Sequence, residues 1–417
     1  MTPSAALLTS AAAALVQILA FQGPADQALS RYFRGHRQLG SRERAFVAEA
    51  AFAVLRRKRS LEAAAGSAAP AALIAAALMR VLGYSGRSLR GLVDEPLLAR
   101  IRAARSELLP EAMRADLPDW AWERLAAQYG GDEAMRIAQG LLNAAPLDLR
   151  VNLARVSREQ ALARLAQDGL EGSPTPYSPA GIRLAGKPAI NRHPLFQDGL
   201  VEVQDEGSQI PSWLLAPRRG EMVADYCAGA GGKTLALAML MRGAGRIYAM
   251  DVSAKRLAAL APRAARAGVS SIHPLVLSGD NDSRVKRLAG KLDRVLVDAP
   301  CSGFGTLRRN PDLKWRHGAD AVAELAAKQL RILGAAARLV KPGGRLVYAT
   351  CSILQEENEA VASAFHAAHA GFAPLSCKAL LAAQHMQLDT GEYLRLWPQL
   401  HGTDGFFAAA FEKKPLS

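Results

Sequence analysis

Two cysteines far apart in the chain stand in similar settings, and each could supply a nucleophilic thiolate. Cys301 follows a predicted strand that ends at Val297, and Cys351 follows one that ends at Ala349. Buried cysteine is usually a small core residue, but both of these lie just beyond their strands, beside turn residues. Because ligands of open α/β sheets bind at the carboxyl ends of the strands, we expect both thiols in one site.

A thiolate at such a site has a clear use if the substrate is a cytosine ring. Carbon 5 of cytosine is a poor nucleophile, but thiolate addition at carbon 6 makes an enamine-like intermediate that can attack an electrophilic methyl group. A second acid–base group must then remove the carbon 5 proton so that the thiol is expelled. Asp298, directly after the first strand, could bond the ring edge and stabilise its protonated form. A paired base is out of reach, so the target would be unpaired or flipped out.

A glycine-rich loop earlier in the chain indicates a cofactor site. Between a predicted strand and a predicted helix it reads Cys227, Ala228, Gly229, Ala230, Gly231, Gly232 and Lys233. Glycine lets the backbone approach a ligand and adopt positive φ, and the helix that follows points its amide groups at the loop. Asp251, just after the next strand, could accept hydrogen bonds from ribose hydroxyls. The pattern admits a dinucleotide or S-adenosylmethionine, and it does not fit a nucleoside triphosphatase, because the first P-loop glycine is missing.

Charge and composition limit the class of protein. The chain has 417 residues, a net charge of +14 and 50% hydrophobic residues, which suits a folded protein that binds an anionic polymer, nucleic acid first. The four cysteines form no C-x-x-C pair, so we expect no metal site. The apolar segment 5–21 has no basic residue before it. We therefore expect a buried first helix, not a signal peptide or membrane span, and a cytoplasmic protein.

Changes in composition and hydrophobic pattern along the chain predict three domains. Residues 1–140 are rich in Ala, Leu and Arg and predict an all-helical domain. Residues 146–205 predict a small α+β domain, with Ser157 and Gln160 forming a helix capping box. From residue 206 to 417, strands and helices alternate, which indicates an α/β domain with a doubly wound sheet.

Two basic segments are candidate RNA surfaces. Arg56 and Arg57 lie in a basic run from residue 31 to 59, which could bind RNA or end a solvated helix. The loop 303–316 could close over the target nucleotide, with Trp315 for stacking and four basic side chains for phosphates: Arg308, Arg309, Lys314 and Arg316. The alternative for this loop is that Trp315 fills the core and the arginines are solvated.

Three stretches of sequence resemble the Sun/Fmu (RsmB-type) family of S-adenosylmethionine-dependent RNA cytosine-5 methyltransferases. They are residues 225–234, residues 298–316 with the run DAPCSGFGTLRRNPDLKWR, and residues 347–359 with the run YATCSILQEENE. The likeness covers about residues 146–412, and the entry into the catalytic domain, VQDEGS, also fits. The first part is similar, less specifically, to a NusB-like helical domain.

The resemblance implies a Rossmann-like class I methyltransferase domain, a ferredoxin- or RRM-like small domain and a NusB-like RNA-binding domain. It implies Cys351 as nucleophile and Cys301 as the group that assists product release. It places Asp280, with the loop 227–233, Asp251 and Asp298, at the cofactor or base, and Lys233 near the reaction centre. It makes RNA, foremost ribosomal RNA, the partner, and we expect a monomer. The family usually has proline where this loop has Ala230, but no required side chain is lost.

The sequence also admits two other interpretations of function. A Rossmann dehydrogenase would explain the loop and Asp251 but would leave both cysteines without a role. A non-catalytic ribosome-assembly factor would explain the charge but not an intact set of Cys351, Cys301 and Asp298. A tRNA target is an alternative to ribosomal RNA, and a DNA enzyme of this chemistry would attack with the thiol that follows proline, here Cys301.

Overall fold

A computed structural model describes residues 2–279 and 282–415, which divide into two units. The first unit holds the chain up to Ala144 together with Thr306–Ala319. The second holds Ala145–Gly305 and the chain from Asp320 onward. The segment 306–319, which the sequence assigns to the catalytic domain, packs with the N-terminal helices.

The first unit is built from amphipathic helices. Its first helix, Ala5–Leu19, begins after Ser4, whose hydroxyl accepts a hydrogen bond from the amide of Leu7. The helix buries one face, including Leu15 and Ile18, as expected of a helix against a core, so the predicted buried first helix is confirmed. Further helices span Ala25–Gly35, Ser41–Arg56, Lys58–Ala65, Pro70–Arg80, Gly86–Leu89, Glu95–Ala103, Glu111–Arg114, Asp119–Tyr129, Gly131–Leu142 and Leu313–Arg316, with a 3₁₀ turn at Ser106–Leu108.

The helices of the described residues can be compared with the length and hydropathy that a membrane span needs. Among the described residues, no single helix is long and apolar enough to cross a membrane. Lys58–Ala65 and Pro70–Arg80 pass that test only together, with a bend of 102° between them.

The second unit begins with a small antiparallel sheet. Its strands are β1 (Leu147–Val151), β2 (Gly172–Pro174), β3 (Gly181–Leu184) and β4 (Val201–Val203), in the order β2-β3-β1-β4. The helix Arg158–Gln167 covers it and starts with the predicted capping box of Ser157 and Gln160. Two short turns follow, a 3₁₀ turn at Ile190–Arg192 and a helix at Pro194–Gln197.

The large sheet carries the rest of the second unit. Its strands are β5 (Met222–Asp225), β6 (Arg246–Asp251), β7 (Ile272–Val276), β8 (Leu292–Asp298), β9 (Val340–Thr350), β10 (Phe372–Leu375), β11 (Leu394–Leu396) and β12 (Phe406–Lys413). The order is β10-β12-β9-β8-β5-β6-β7, with β11 on β12. Strands β5 to β9 are parallel, and β12 pairs antiparallel with β9.

Helices cover both faces of this sheet, and its central strands carry runs of buried apolar residues. In β8, Val295, Leu296 and Val297 are all fully buried, as expected of a parallel strand covered on both sides. The helices span Glu206–Leu215, Gly232–Leu240, Ala254–Ala258, Leu260–Ala267, Ser283–Lys286, Ala319–Ala337, Glu359–Ala368, Cys377–Ala382 and Pro398–His401, with a 3₁₀ turn at Phe304–Thr306.

The strand order determines where a ligand can bind. From β5 the chain moves outward through β6 and β7, then returns to the other side of β5 with β8 and β9. Such a reversal opens a crevice at the carboxyl ends of the central strands. The carboxyl ends of β9, β8, β5 and β6 therefore bring together residues that are up to 125 positions apart, from Asp225 to Thr350.

Candidate active site

The two strand-end cysteines lie in contact. Asp298 of β8 is paired in register with Ala349 of β9, so the residues that follow leave the sheet side by side. The Sγ atoms of Cys301 and Cys351 are 3.2 Å apart, and both side chains are partly exposed. The hydrogen bond to Cys351, together with burial, raises the pKa of the Cys301 thiol well above its usual range. Either sulfur can be the donor of this hydrogen bond, so the two thiols share a proton when one of them is ionised.

An ion pair lies at the same edge of the sheet. The ammonium of Lys233 lies 2.7 Å from Asp298 Oδ2 and donates to Ser208 Oγ at 3.1 Å. Burial disfavours the charge on Lys233, but Asp298 more than compensates, and the pKa of Lys233 is raised. The side chain of Lys233 is 8% exposed and that of Asp298 is 30% exposed, so the carboxylate is the part of the pair that a substrate can reach.

The glycine-rich loop has the geometry of a ligand cradle. Gly229 and Gly231 have φ of 56° and 85°, which disfavours other residues. A side chain at Gly231 would collide with Leu260, whereas one at Gly229 would meet nothing within 4 Å. Gly231 therefore serves packing, and the open side of Gly229 offers room for a ligand.

Two carboxylates flank this loop at the ends of β5 and β6. Asp251 accepts from the amide of Gly229 at 2.8 Å and from the amide of Ser253 at 2.7 Å. Asp225 Oδ2 accepts from Thr234 Oγ1 at 2.7 Å, while its buried Oδ1 has no hydrogen-bond partner among the described residues. Burial raises the pKa of Asp225 to about 7. The sequence analysis missed Asp225, although an acid at the end of the central strand was a visible signal.

The remaining predicted cofactor residues fall into two groups. Cys227, Ala228, Ala230 and Gly232 lie in the loop itself, and burial raises the pKa of the Cys227 thiol well above its usual range. Asp280 lies outside the described residues. The fourth cysteine, Cys377, is in the core, where burial raises its pKa to about 12.

A polar network in the second unit supports the loop and Lys233, and the sequence analysis did not find it. Arg150 of β1 donates to the carbonyl of Gly232 at 2.7 Å and also to Gln204. Gln204 in turn donates to the carbonyl of Ser208 at 3.1 Å, whose hydroxyl meets Lys233. The small sheet thus holds both the glycine-rich loop and the lysine, through contacts that the local sequence pattern does not show.

Lys314 and Trp315 require a correction, because they do not reach outward as RNA contacts. Lys314 is 2% exposed, and its ammonium donates to the carbonyls of Arg56 at 2.7 Å and Asp116 at 2.6 Å. Trp315 Nε1 donates to the carbonyl of Leu55 at 2.8 Å. The helix Ser41–Arg56 ends there, and the last carbonyls of a helix lack partners within it. These two side chains supply the donors, which favours the packing alternative for Trp315.

The predicted arginine contacts also lie in the first unit. Arg308 is buried, whereas Arg309, Arg316 and Arg57 are half-buried. Arg316 pairs with Asp312 at 3.2 Å. Arg56 donates to the carbonyl of Arg308 at 3.1 Å, and burial lowers its pKa. Arg56 and Arg308 thus help to hold the segment 306–319 on the helices.

Metal-binding side chains do not cluster in the part of the chain that the structure describes. Within residues 2–279 and 282–415, no group of three or more His, Cys, Asp or Glu side chains could hold a metal ion.

The strand order and the contents of this edge define the class of the protein. A parallel sheet with one antiparallel strand inserted beside β9, a glycine-rich loop after the central β5 and an acid after β6 together form a Rossmann-like, class I methyltransferase domain.

Comparison with known proteins then gives the family. The family described as 16S rRNA methyltransferase RsmB/F matches residues 212–412, and an RsmF/B-like ferredoxin-like domain matches residues 117–191. Ribosomal RNA small subunit methyltransferase B of Sodalis glossinidius is 36% identical over 305 residues, which are 72% of this chain and 69% of the relative. The chain belongs to the RsmB/F methyltransferase family, as the resemblance implies.

Two further comparisons bear on coverage and fold. A probable ribosomal RNA small subunit methyltransferase B of Bacillus subtilis is 35% identical over 304 residues. The match covers 71% of this chain and 66% of that relative, just under two thirds of its length. The crystal structure of PH0851 superposes with a TM-score of 0.82 at 27% identity and covers 99% of this chain. Both units therefore have counterparts in a solved structure.

Proposed function

We propose that this chain methylates carbon 5 of a cytosine in 16S ribosomal RNA, with S-adenosylmethionine as methyl donor and Cys351 as nucleophile. The observation that carries the proposal is the 3.2 Å contact between the sulfurs of Cys351 and Cys301, at the carboxyl edge of a methyltransferase sheet. Membership of the RsmB/F family and relatives named as ribosomal RNA small subunit methyltransferase B support RNA as the substrate.

The loop and its flanking acids fit the methyl donor. The open side of Gly229 leaves room for a ligand, and Asp225 Oδ1 is a buried acceptor that a ligand's hydroxyl or ammonium group can satisfy. Asp251 retains acceptor capacity for ribose hydroxyls. When bound, S-adenosylmethionine supplies an electrophilic methyl group to carbon 5.

In this proposal the protein's part of the chemistry starts at Cys351. Its thiolate adds to carbon 6, and the electron pair of the ring's double bond moves toward carbon 5. Asp298, held by Lys233 at 2.7 Å, accepts a hydrogen bond from the protonated ring edge. The ion pair fixes the carboxylate in one orientation, so the base is positioned before the bond to sulfur forms.

The change of charge at Cys351 then alters Cys301. The pKa of Cys301 is raised by the hydrogen bond to Cys351, by burial, by the charge of Cys351 and by the charge of Glu357. Once Cys351 carries the base, its charge is lost and two of these four causes disappear. Cys301 can then give its proton to water, take the proton from carbon 5 and allow the bond between carbon 6 and Cys351 to break. The product is methylated cytosine and a free Cys351 thiolate.

The test is methyl incorporation from labelled S-adenosylmethionine into separate pools of RNA. The parent chain should label unmodified 16S ribosomal RNA, with the label in 5-methylcytosine, and bisulfite sequencing should locate it. Labelling of tRNA alone would favour the tRNA alternative. Binding of S-adenosylmethionine and RNA without any label would favour a non-catalytic assembly factor, and binding of NAD would favour a dehydrogenase.

A further inference from the structure

A buried carboxylate lies behind the two cysteines. Glu357 is 0% exposed, and none of the ion pairs among the described residues involves it. A buried carboxylate without a cation is costly unless hydrogen bonds satisfy it. Glu357 lies in the QEENE run after Cys351, and the sequence alone predicts no role for it.

The donors to Glu357 come from both cysteine loops. Oε1 accepts from the amide of Ser302 at 2.8 Å and from Gln329 Nε2 at 3.0 Å. Oε2 accepts from the hydroxyls of Ser302 and Ser352, each at 2.5 Å. Ser302 directly follows Cys301, and Ser352 directly follows Cys351, so one side chain ties the two loops together.

The surrounding side chains hold this carboxylate and the loops in place. Gln329 also donates to the carbonyl of Pro300 at 3.0 Å, and the hydroxyl of Tyr348 donates to the carbonyl of Glu357 at 2.5 Å. Asn358 donates to the carbonyl of Ser352 at 3.1 Å. Groups on both sides of Cys301 and the residue after Cys351 are therefore fixed from the buried side of the site.

We infer that Glu357 is a positioning residue that holds the sulfurs of Cys301 and Cys351 in contact by clamping Ser302 and Ser352. Its consequence for catalysis rests on the proposed function, because a thiol pair is useful only if both sulfurs meet the same base. Displacements of about 1 Å can reduce a rate by about a hundredfold. The negative charge of Glu357 also contributes to the raised pKa of Cys301.

The arrangement can be measured without any RNA, by oxidation with diamide. Diamide takes two electrons and two protons from Cys301 and Cys351 and becomes a hydrazine, while a disulfide forms between the two sulfurs. The rate of disulfide formation, followed by mass spectrometry and divided by the rate at which iodoacetamide alkylates the same two thiols, reports how often the sulfurs meet in the geometry of a disulfide, because the division removes any change in thiolate fraction. Cys227 and Cys377 serve as internal controls in the same digest.

Two variants remove the clamp to different degrees. Glu357→Ala removes all four hydrogen bonds and should slow disulfide formation by about tenfold or more. Glu357→Gln keeps the size of the side chain and one oxygen, and it should slow the reaction less. Glu206→Gln is the matched control, since Glu206 is also 0% exposed and accepts two amides, from Tyr177 and Ser178, away from the cysteines. It should leave the disulfide rate within about twofold of the parent.

The outcomes separate the clamp from the proposed function. If Glu357→Gln, with a far-UV spectrum like the parent, forms the disulfide as fast as the parent or faster, the clamp is overturned, whatever the methylation result. Slower disulfide formation with a reduced single-turnover methylation rate and an unchanged RNA KM supports both the clamp and its catalytic consequence. Slower disulfide formation in a chain that methylates no RNA would support the clamp and contradict the proposed function.

Discussion

The Sγ atoms of Cys301 and Cys351 lie 3.2 Å apart, although 50 residues separate them in the chain. The contact follows from the parallel pairing of β8 and β9, which ends with Asp298 beside Ala349. The hydrogen bond to Cys351 and burial raise the pKa of the Cys301 thiol well above its usual range. Two sulfurs in contact at one strand edge are the arrangement expected if one thiol attacks the base and the other acts later in the same reaction.

The ion pair of Lys233 and Asp298 should be essential for chemistry. Asp298→Asn removes the partner of a buried ammonium and the acceptor for the ring edge. We expect the single-turnover rate of methyl transfer to fall by about 10²- to 10⁴-fold, with little change in RNA affinity. Asp293→Asn, near the other end of the same strand, is the control: Asp293 accepts from the amide of Met222 and pairs with Lys341. Equal rates for Asp298→Asn and Asp293→Asn would contradict this assignment.

Asp251 should decide the affinity for the methyl donor. Asp251→Ala removes the acceptor of the Gly229 and Ser253 amides and a candidate acceptor for ribose hydroxyls. We expect the Kd for S-adenosylmethionine, measured by calorimetry, to rise by about tenfold or more. Glu221→Ala, at the amino end of β5, removes a pair with Arg294 and should leave this Kd unchanged. Binding by Asp251→Ala as tight as that of the parent would exclude Asp251 from the cofactor site.

Buried Lys314 should give the first unit a dependence of stability on pH. Burial lowers its pKa to about 7, whereas an unfolded lysine has a pKa of about 10.4. The unfolded chain thus binds more protons between these values, so stability rises with pH from about 7 to about 10, by at most about 1.4 kcal/mol per pH unit.

Thermal unfolding of Lys314→Met tests this dependence. The variant has no ammonium to bury, so the Tm of the parent should rise relative to that of Lys314→Met as the pH increases across this range. Lys328→Met replaces an exposed lysine and should follow the parent at every pH. A constant difference in Tm between the parent and Lys314→Met would refute the prediction.

RNA affinity of the first unit should depend on exposed arginines near the helix Ala25–Gly35. A groove there is lined by Ser30, Phe33, Arg34, Arg37 and Arg44, and Arg44 lies over the ring of Phe33 at 5.6 Å. Arg34 and Arg37 are exposed, whereas Arg56 is half-buried and donates to the carbonyl of Arg308. Arg34 and Arg37 are therefore better candidates for RNA contact than Arg56 and Arg57.

Charge reversal measures this contribution. Arg34→Glu/Arg37→Glu should weaken binding of ribosomal RNA fragments and lower the slope of log affinity against log salt by about 1.5. Arg102→Glu/Arg105→Glu changes the net charge equally at two other exposed arginines of the first unit and should have a smaller effect. If both double variants give the same slope, the groove has no special role.

The sequence revealed those parts of the molecule that depend on local pattern. The alternation of strands and helices after residue 206 predicts the sheet, and its strand ends predict the meeting of Cys301, Cys351 and Asp298. The place of Lys233 near them is implied only by the family resemblance. Hydrogen bonds between side chains of different elements cannot be predicted from local pattern. The support of Gly232 by Arg150 and the clamp at Glu357 join residues from different elements, whose pairing only the folded chain shows.

For the loop 303–316, the sequence predicts an RNA contact that the structure does not support for Lys314 and Trp315. A basic, tryptophan-containing segment after an active-site strand predicts RNA contact, because composition alone cannot distinguish an exposed cation from a buried one. Lys314 is buried and Trp315 is half-buried because they donate hydrogen bonds to the carbonyls at the end of the helix Ser41–Arg56, which have no partners within the helix.

A denaturing gel shows whether Cys351 makes the bond to carbon 6 and Cys301 acts afterwards. Cys301→Ala, incubated with S-adenosylmethionine and 16S ribosomal RNA, should methylate once and remain as a covalent protein–RNA band, because nothing removes the carbon 5 proton. Cys351→Ala should give no band and no methylation. A covalent band that accumulates in Cys351→Ala and is absent in Cys301→Ala would make Cys301 the nucleophile and contradict the account.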